Sequence, residues 1–203
     1  THPDADHITG LVEVLEHYRV DAVVYRDLGC RDATCERWQQ LLGERRTTVH
    51  RGEAGLAIEL DGVRLEVLHP GAELLAGEGF NEDSLVARLS YGEVSVLLTG
   101  DIGARAEERL VADRADVRST VLKVAHHGAC SSSTRAFLEA VDPEVAVISV
   151  GEGNDHNHPC GEVVERLEAV LGGGNGRLFR TDKHETLEVV SDGARVWVRA
   201  EGD

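Results

Sequence analysis

The segment His2-Pro3-Asp4-Ala5-Asp6-His7 places four potential metal ligands just ahead of a helical pattern. Imidazole and carboxylate together suit zinc, manganese or iron. The alternate spacing of His2, Asp4 and Asp6 sends their side chains to one side of an extended or turning backbone. His7 follows at the helix start. One of the aspartates could act as an N-cap. Capping does not account for two histidines bracketing two aspartates, so the segment reads as metal-binding.

Three further windows have the same character. Val94 to Asp101 is an apolar strand running into Gly100-Asp101, which can project a carboxylate at the edge of a sheet. Gly-Asp turns also end ordinary strands, so alone this signal is weak. Leu122 to Gly128 is another apolar strand, leading into His126-His127-Gly128. Adjacent histidines on an extended chain point opposite ways, so at most one is expected to hold a metal. The other would touch substrate or orient a ligand. Ser131-Ser132-Ser133 then precede a helix at Thr134. They read either as cap and loop or as hydroxyls and helix amides offered to a phosphate. The last window runs from Ser149-Val150-Gly151 into Asn154-Asp155-His156-Asn157-His158-Pro159. The chain has 10 histidines; those at 2, 7, 126, 127, 156 and 158 fall at strand-to-helix junctions, as one shared site would require.

The elements that must position these groups follow from hydrophobic periodicity. Helices are expected over 8–18, 33–46, 104–112, 134–141 and 162–171, the last closed by Gly172-Gly173-Gly174. Strands are expected over 20–25, 56–60, 63–68, 84–89, 94–98, 121–124, 145–150, 178–179, 187–190 and 196–198. Asp61-Gly62, Tyr91-Gly92 and Asp192-Gly193 mark hairpins. Hairpins mixed with strand–helix units predict an α/β protein with helices outside mixed sheets and sites at strand ends. They do not predict a simple doubly wound parallel sheet.

Composition bounds the rest. With 203 residues, 41 % hydrophobic and 29 % charged, residues 1–203 read as a single globular domain. No apolar run approaches the ~20 residues of a membrane span and no signal peptide is visible, which predicts a soluble domain. The start at Thr1-His2-Pro3 and the lack of any Met predict a fragment of a longer protein. The net charge of −16, with Lys123 and Lys183 as the only lysines, excludes a surface that grips nucleic acid throughout. Any such role must rest on a local site, on metal ions or on a neighbouring domain. Cys30, Cys35, Cys130 and Cys160 form no C-x-x-C pair, which argues against a zinc site of that type. Four separate thiols and two disulfides both stay open.

These motifs, taken in order, resemble the metallo-β-lactamase superfamily, and more finely the carboxy-terminal domain of ComEC-type DNA-uptake proteins. The resemblance is carried by His2-x-Asp4-x-Asp6-His7, Asn81-x-x-Ser84-Leu85-Val86, Leu97-Leu98-Thr99-Gly100-Asp101-Ile102, Leu122 to Gly128 and Ser131-Ser132-Ser133. Ile148 to Gly151, Asn157-His158-Pro159 and Phe179-Arg180-Thr181-Asp182 continue it, so it spans nearly the whole chain. It implies an αβ/βα sandwich of mixed sheets with outer helices, here lacking the family's amino-terminal strands, and so a loosely held first site and exposed sheet edges. It implies two divalent ions, Mn or Zn: His2 and Asp4 for the first, Asp6, His7 and His127 for the second, and Asp101 bridging. Asp4 stands where many members have His, and the family's third-motif His falls on Asn81, with His69 the other candidate. Asp6, Asp101, His126 and His158 would act in catalysis, with Lys123, Ser131, Ser132, His158 and Arg180 on the substrate.

The implied activity is metal-dependent phosphodiester hydrolysis, most simply a nuclease degrading one DNA strand during uptake in transformation. The rivals are another hydrolase of this fold, of the phosphorylcholine esterase kind, and a degenerate structural domain of a DNA-uptake channel. The implied partners are DNA and the membrane-channel portion of the same parent, on the extracytoplasmic side, with no small organic cofactor. With both histidine loops at one rim, the resemblance also suggests a Cys130–Cys160 disulfide, leaving Cys30–Cys35 as a local second.

Overall fold

The computed structural model describes residues 2–73, 80–172 and 177–201. In chain order the elements are α1 (Ala5–His17), β1 (Ala22–Tyr25), α2 (Ala33–Arg45), β2 (Thr48–Arg51), β3 (Ala57–Leu60), β4 (Val63–His69), β5 (Val86–Tyr91), β6 (Val94–Leu98), α3 (Ala104–Ala112), β7 (Val121–Lys123), α4 (Arg135–Val141), β8 (Val145–Ile148), α5 (Gly161–Leu171), β9 (Arg177–Arg180), α6 (Thr181–His184), β10 (Leu187–Ser191) and β11 (Val196–Ala200). Short 3-10 turns stand at Asn81–Asp83 and Ala125–Gly128. Gly172 ends α5 as expected; Gly173 and Gly174 lie outside the described residues.

Among the described residues the main sheet has seven strands, in the order β3-β4-β5-β6-β7-β8-β9. The first half is antiparallel, built from the two hairpins, and β6 through β9 run parallel. Leu97, Leu122 and Ala146 are register partners and therefore share one face. On that face they pack with Ala106 and Leu110 of α3, Phe137, Leu138 and Val141 of α4, and Val163, Leu167 and Leu171 of α5. Each fully buried Leu or Phe there contributes about 1.5–3 kcal/mol.

A second, smaller core joins α1 to α2 through Ile8, Leu15, Trp38, Leu41 and Leu42, beside the parallel pair β1–β2. Strand β2 was not expected from the sequence, since Thr48 to Arg51 is short and polar. Its backbone is templated by β1 rather than by its own periodicity. The parallel arrangement puts the carboxyl ends of β6, β7 and β8 side by side, the usual place for a site in such sheets.

Both disulfides are present, Cys30–Cys35 and Cys130–Cys160, and no cysteine among the described residues is free. The first closes the loop into α2, where Asp32 caps the Cys35 amide (2.9 Å). The second joins the loop after His127 to the start of α5.

Candidate metal centre

Three carboxyl-terminal strand ends and the amino terminus of α1 meet at a cavity of about 570 Å³. It is lined by His2, Asp4, Asp6, Asn81, Asp101, His126 and His127 on one side, and by Asn154, His156 and His158 on the other. Asp4 occupies the N-cap position of α1, yet its side chain makes no cap bond; the Asp4 carbonyl accepts from the His7 and Ile8 amides instead. Its carboxylate lies 3.4 Å from His2 Nε2. The expectation of a loosely held motif is not met at His2, which is buried and contacts Ser84 Oγ through Nδ1 (3.0 Å).

Asp101 is delivered by the tight turn after β6. Gly100 has φ +53°, its carbonyl accepts from the His126 amide, and the Thr99 hydroxyl donates to the Lys123 carbonyl. The turn is thereby locked to the end of β7. From there Asp101 Oδ2 reaches His7 Nε2 at 3.1 Å and His127 Nε2 at 3.4 Å. Asp6 Oδ2 is 3.4 Å from the same His127 nitrogen. The ligand atoms of Asp6, His7, Asp101 and His127 all lie within 4.8 Å of one another.

Two observations fit this cluster to a cation. His127 Nδ1 bonds the Ser149 carbonyl (2.7 Å), which can only accept, so the Nδ1 proton is fixed there. In the neutral ring, Nε2 then presents a lone pair to two carboxylate oxygens, an arrangement that needs a proton or a metal between them. The hydrogen bond to Asp101 accordingly raises the His127 pKa. In addition, Asp101 Oδ1 is buried without a hydrogen-bond partner among the described residues. Burial opposes ionisation of Asp101, but its bonds to His127 and His7 hold it well below the usual carboxylate range. Burial lowers the His2 pKa to about 4, with His7 pushing the same way.

The paired histidines depart from the extended geometry expected of them. His126 and His127 both take left-handed backbone (φ 48° and 53°), and Gly128 follows at φ +80°. Both rings therefore face the cavity, their centroids 6.4 Å apart. His126 stands farther from the cluster, with Nε2 4.0 Å from Asp101 Oδ2, and accepts from the Asn81 amide (3.4 Å). Its centroid is 5.7 Å from that of His158, which stacks on His156 at 5.8 Å. Asn154 organises that loop: its amide donates to the Gly151 and His158 carbonyls, and its oxygen accepts from the His156 and His158 amides. The sequence window contained Asn154 and His156, but only the folded loop shows one bracing and the other lining.

The structure gives four of the substrate-binding candidates, Ser131, Ser132, Lys123 and Arg180, the following surroundings. The Ser132 hydroxyl donates to the Ala125 and Ala129 carbonyls and so braces the histidine turn. Ser131 is exposed and does not line the cavity. The amides ahead of α4 that could have met a phosphate are taken by the buried Glu107 carboxylate. The Arg180 guanidinium is paired with Asp182 (2.5 Å). Lys123 does not line the cavity either; its Nζ sits behind Asp101, 3.9 Å from Oδ1. Of the two candidates for the third-motif position, Asn81 lines the site, whereas His69 is buried elsewhere against the Glu82 carbonyl (2.7 Å).

The sheet order and this clustered donor set define the class: residues 1–152 match the model of the metallo-beta-lactamase superfamily, and the chain belongs to that superfamily. Within it, the chain is 29 % identical over 188 residues to ComE operon protein 3 of Bacillus subtilis (strain 168), covering 93 % of this chain and 24 % of that protein. It is 38 % identical over 130 residues to competence protein ComA of Neisseria gonorrhoeae, covering 63 % of this chain and 18 % of that one. The chain thus spans about a quarter or less of the length of these relatives. Among solved structures, the E377D mutant of CmlA beta-hydroxylase shares the fold, with a TM-score of 0.58 at 12 % identity over 89 % of this chain and 42 % of that one.

Proposed function

We propose that this chain is the metal-dependent phosphodiesterase domain of a DNA-uptake protein, cutting DNA as a nuclease. The observation that carries the reading is the convergence of Asp6, His7, Asp101 and His127, with buried donor atoms aimed at one point. The similarity to competence proteins supports DNA as the substrate class. In this reading His2 and Asp4 would hold one divalent ion, Asp6, His7 and His127 the other, and Asp101 would contribute to both. When bound, such a pair supplies Lewis-acid polarisation of a phosphate and a water pKa lowered toward ~7.

The chain's own groups do the rest. His126 and His158 line the cavity beside the carboxylate–histidine cluster, and burial lowers both their pKa values. As neutral rings they can donate an N–H to a phosphate oxygen or hand a proton to the leaving oxygen. Lys123 sets a positive charge behind Asp101 and holds that carboxylate in place. Residues 1–203 act as one domain because the donors come from both cores. No helix among the described residues is long and apolar enough to cross a membrane. Two disulfides favour an oxidising compartment, which supports placement outside the cytoplasm. A channel portion of the same parent would then be the partner.

The test is hydrolysis of linear DNA and of bis-p-nitrophenyl phosphate with Mn²⁺ or Zn²⁺. The wild-type chain is expected to cut both, and Asp101→Ala to lose at least ~100-fold. Cleavage of the small diester alone would favour a hydrolase with another substrate. No metal uptake and no cleavage would leave a structural channel domain.

A further inference from the structure

We infer that Ser84 is the positioning residue that makes His2 a metal ligand; this rests on the two-metal reading above. Ser84 is completely buried, just after the 3-10 turn at Asn81–Asp83. Its Oγ accepts from the Asp101 amide (3.2 Å) and meets His2 Nδ1 at 3.0 Å. One hydroxyl therefore connects the first histidine of the amino-terminal motif to the carboxylate assigned to both ions, across 82 positions on one side and 17 on the other.

The chemistry follows from the inventory of a hydroxyl, which has one proton and two lone pairs. The Asp101 amide takes one lone pair. The proton can then go to His2 Nδ1, which places the ring proton of neutral His2 on Nε2, toward Asp4 Oδ2 (3.4 Å). Alternatively the second lone pair accepts Nδ1–H, which frees the Nε2 lone pair toward the cavity. Only the second arrangement can bind a metal. A serine hydroxyl meets Nδ1 in either state, so as an ion arrives the Nε2 proton can leave to water and water can return one to Nδ1, with no net change in protons on the ring and the Ser84 contact kept. A side chain that only accepts or only donates would fix one state. The contact also sets how far His2 lies from Asp101.

The experiment is calorimetric titration of the 203-residue chain with Zn²⁺ and with Mn²⁺, for wild type, Ser84→Ala and Ser132→Ala. Ser132 is a comparable buried hydroxyl that braces backbone and touches no ring. Wild type is expected to take two equivalents. Ser84→Ala is expected to keep one equivalent near wild-type affinity and to weaken the other 10–100-fold. Long-range ¹⁵N–¹H spectra of the metal-free chain read the His2 tautomer directly. They are expected to show Nε2–H in wild type and an altered tautomer population in Ser84→Ala. If Ser84→Ala binds both ions like wild type, weakens both equally, or behaves like Ser132→Ala, the role assigned to Ser84 is wrong. If wild type itself binds no second equivalent, the two-metal reading fails instead.

Discussion

Glu107 lies on α3 with no exposed surface, and its carboxylate accepts from the Ser133 and Thr134 amides at 2.5 and 2.7 Å. It thus supplies the negative charge that the start of α4 would otherwise seek in solvent or in a ligand. Burial pushes its pKa up to about 7, against the pull of the Thr134 and Ser133 bonds. The sign of the pH effect follows. Below the ordinary glutamate range the group is protonated in both folded and unfolded chains. Between that range and about 7 the folded chain holds more protons, so stability falls as pH rises through this window. Relative to Glu107→Gln, which cannot ionise, the wild type should lose on the order of 3 kcal/mol between about pH 4 and about pH 8. Urea unfolding of both proteins across that range measures it; a difference that stays level or grows with pH would show that Glu107 ionises without cost in the fold.

The turn at Ala125–Gly128 is the element that most determines the site, and it is held from three sides. The His126 amide donates to Gly100, the Ala129 amide to His126, and the Cys160 amide to Gly128. Left-handed backbone at two histidines costs about 1–2 kcal/mol each, which these bonds and the Ser132 brace offset. Gly128 has no such freedom to change. It sits at φ +80°, and a Cβ there would stand 2.7 Å from the Pro159 Cβ. Gly128→Ala should therefore lose about 2–4 kcal/mol, and should displace His158, the neighbour of Pro159. Unfolding free energy together with metal content checks this; a loss below ~0.5 kcal/mol would mean the turn yields easily. The same turn marks how far sequence could be read. The hairpin at Asp61-Gly62, the helix Ala104–Ala112 and the Gly-Asp strand exit were legible because local residue types dictate them. Two non-glycine residues in left-handed conformation leave no such signature, so the shared orientation of His126 and His127 was not. Nor were β2, paired to a distant strand, or Glu107, whose partners lie 26 and 27 positions away.

At the scale of the molecule, the proposed DNA substrate would have to be drawn to a chain of net charge −16 through a few well-placed groups, so the cavity walls would have to stay in register. One wall is the histidine turn; the other is the loop of Asn154, His156 and His158, which rests on no strand of its own. The Cys130–Cys160 disulfide joins them directly, across 30 positions of sequence, whereas Cys30–Cys35 spans only 5 in the smaller core. The chain-entropy model gives about 4 kcal/mol for the longer loop and about 2 kcal/mol for the shorter. Serine replacement of both Cys130 and Cys160 should therefore cost more stability than replacement of Cys30 and Cys35. It should also raise KM for a phosphodiester more than it lowers the content of tightly bound metal. The carboxylate–histidine cluster is tied to Gly100 and Ser149, but His158 is tied to the turn through its neighbours Pro159 and Cys160. Reductant should reproduce the rise in KM in wild type and leave the KM of the Cys130→Ser/Cys160→Ser protein unchanged, since only Cys30–Cys35 is left there to reduce. If reduction leaves both the unfolding midpoint and KM where they were, the two walls are held together by packing alone.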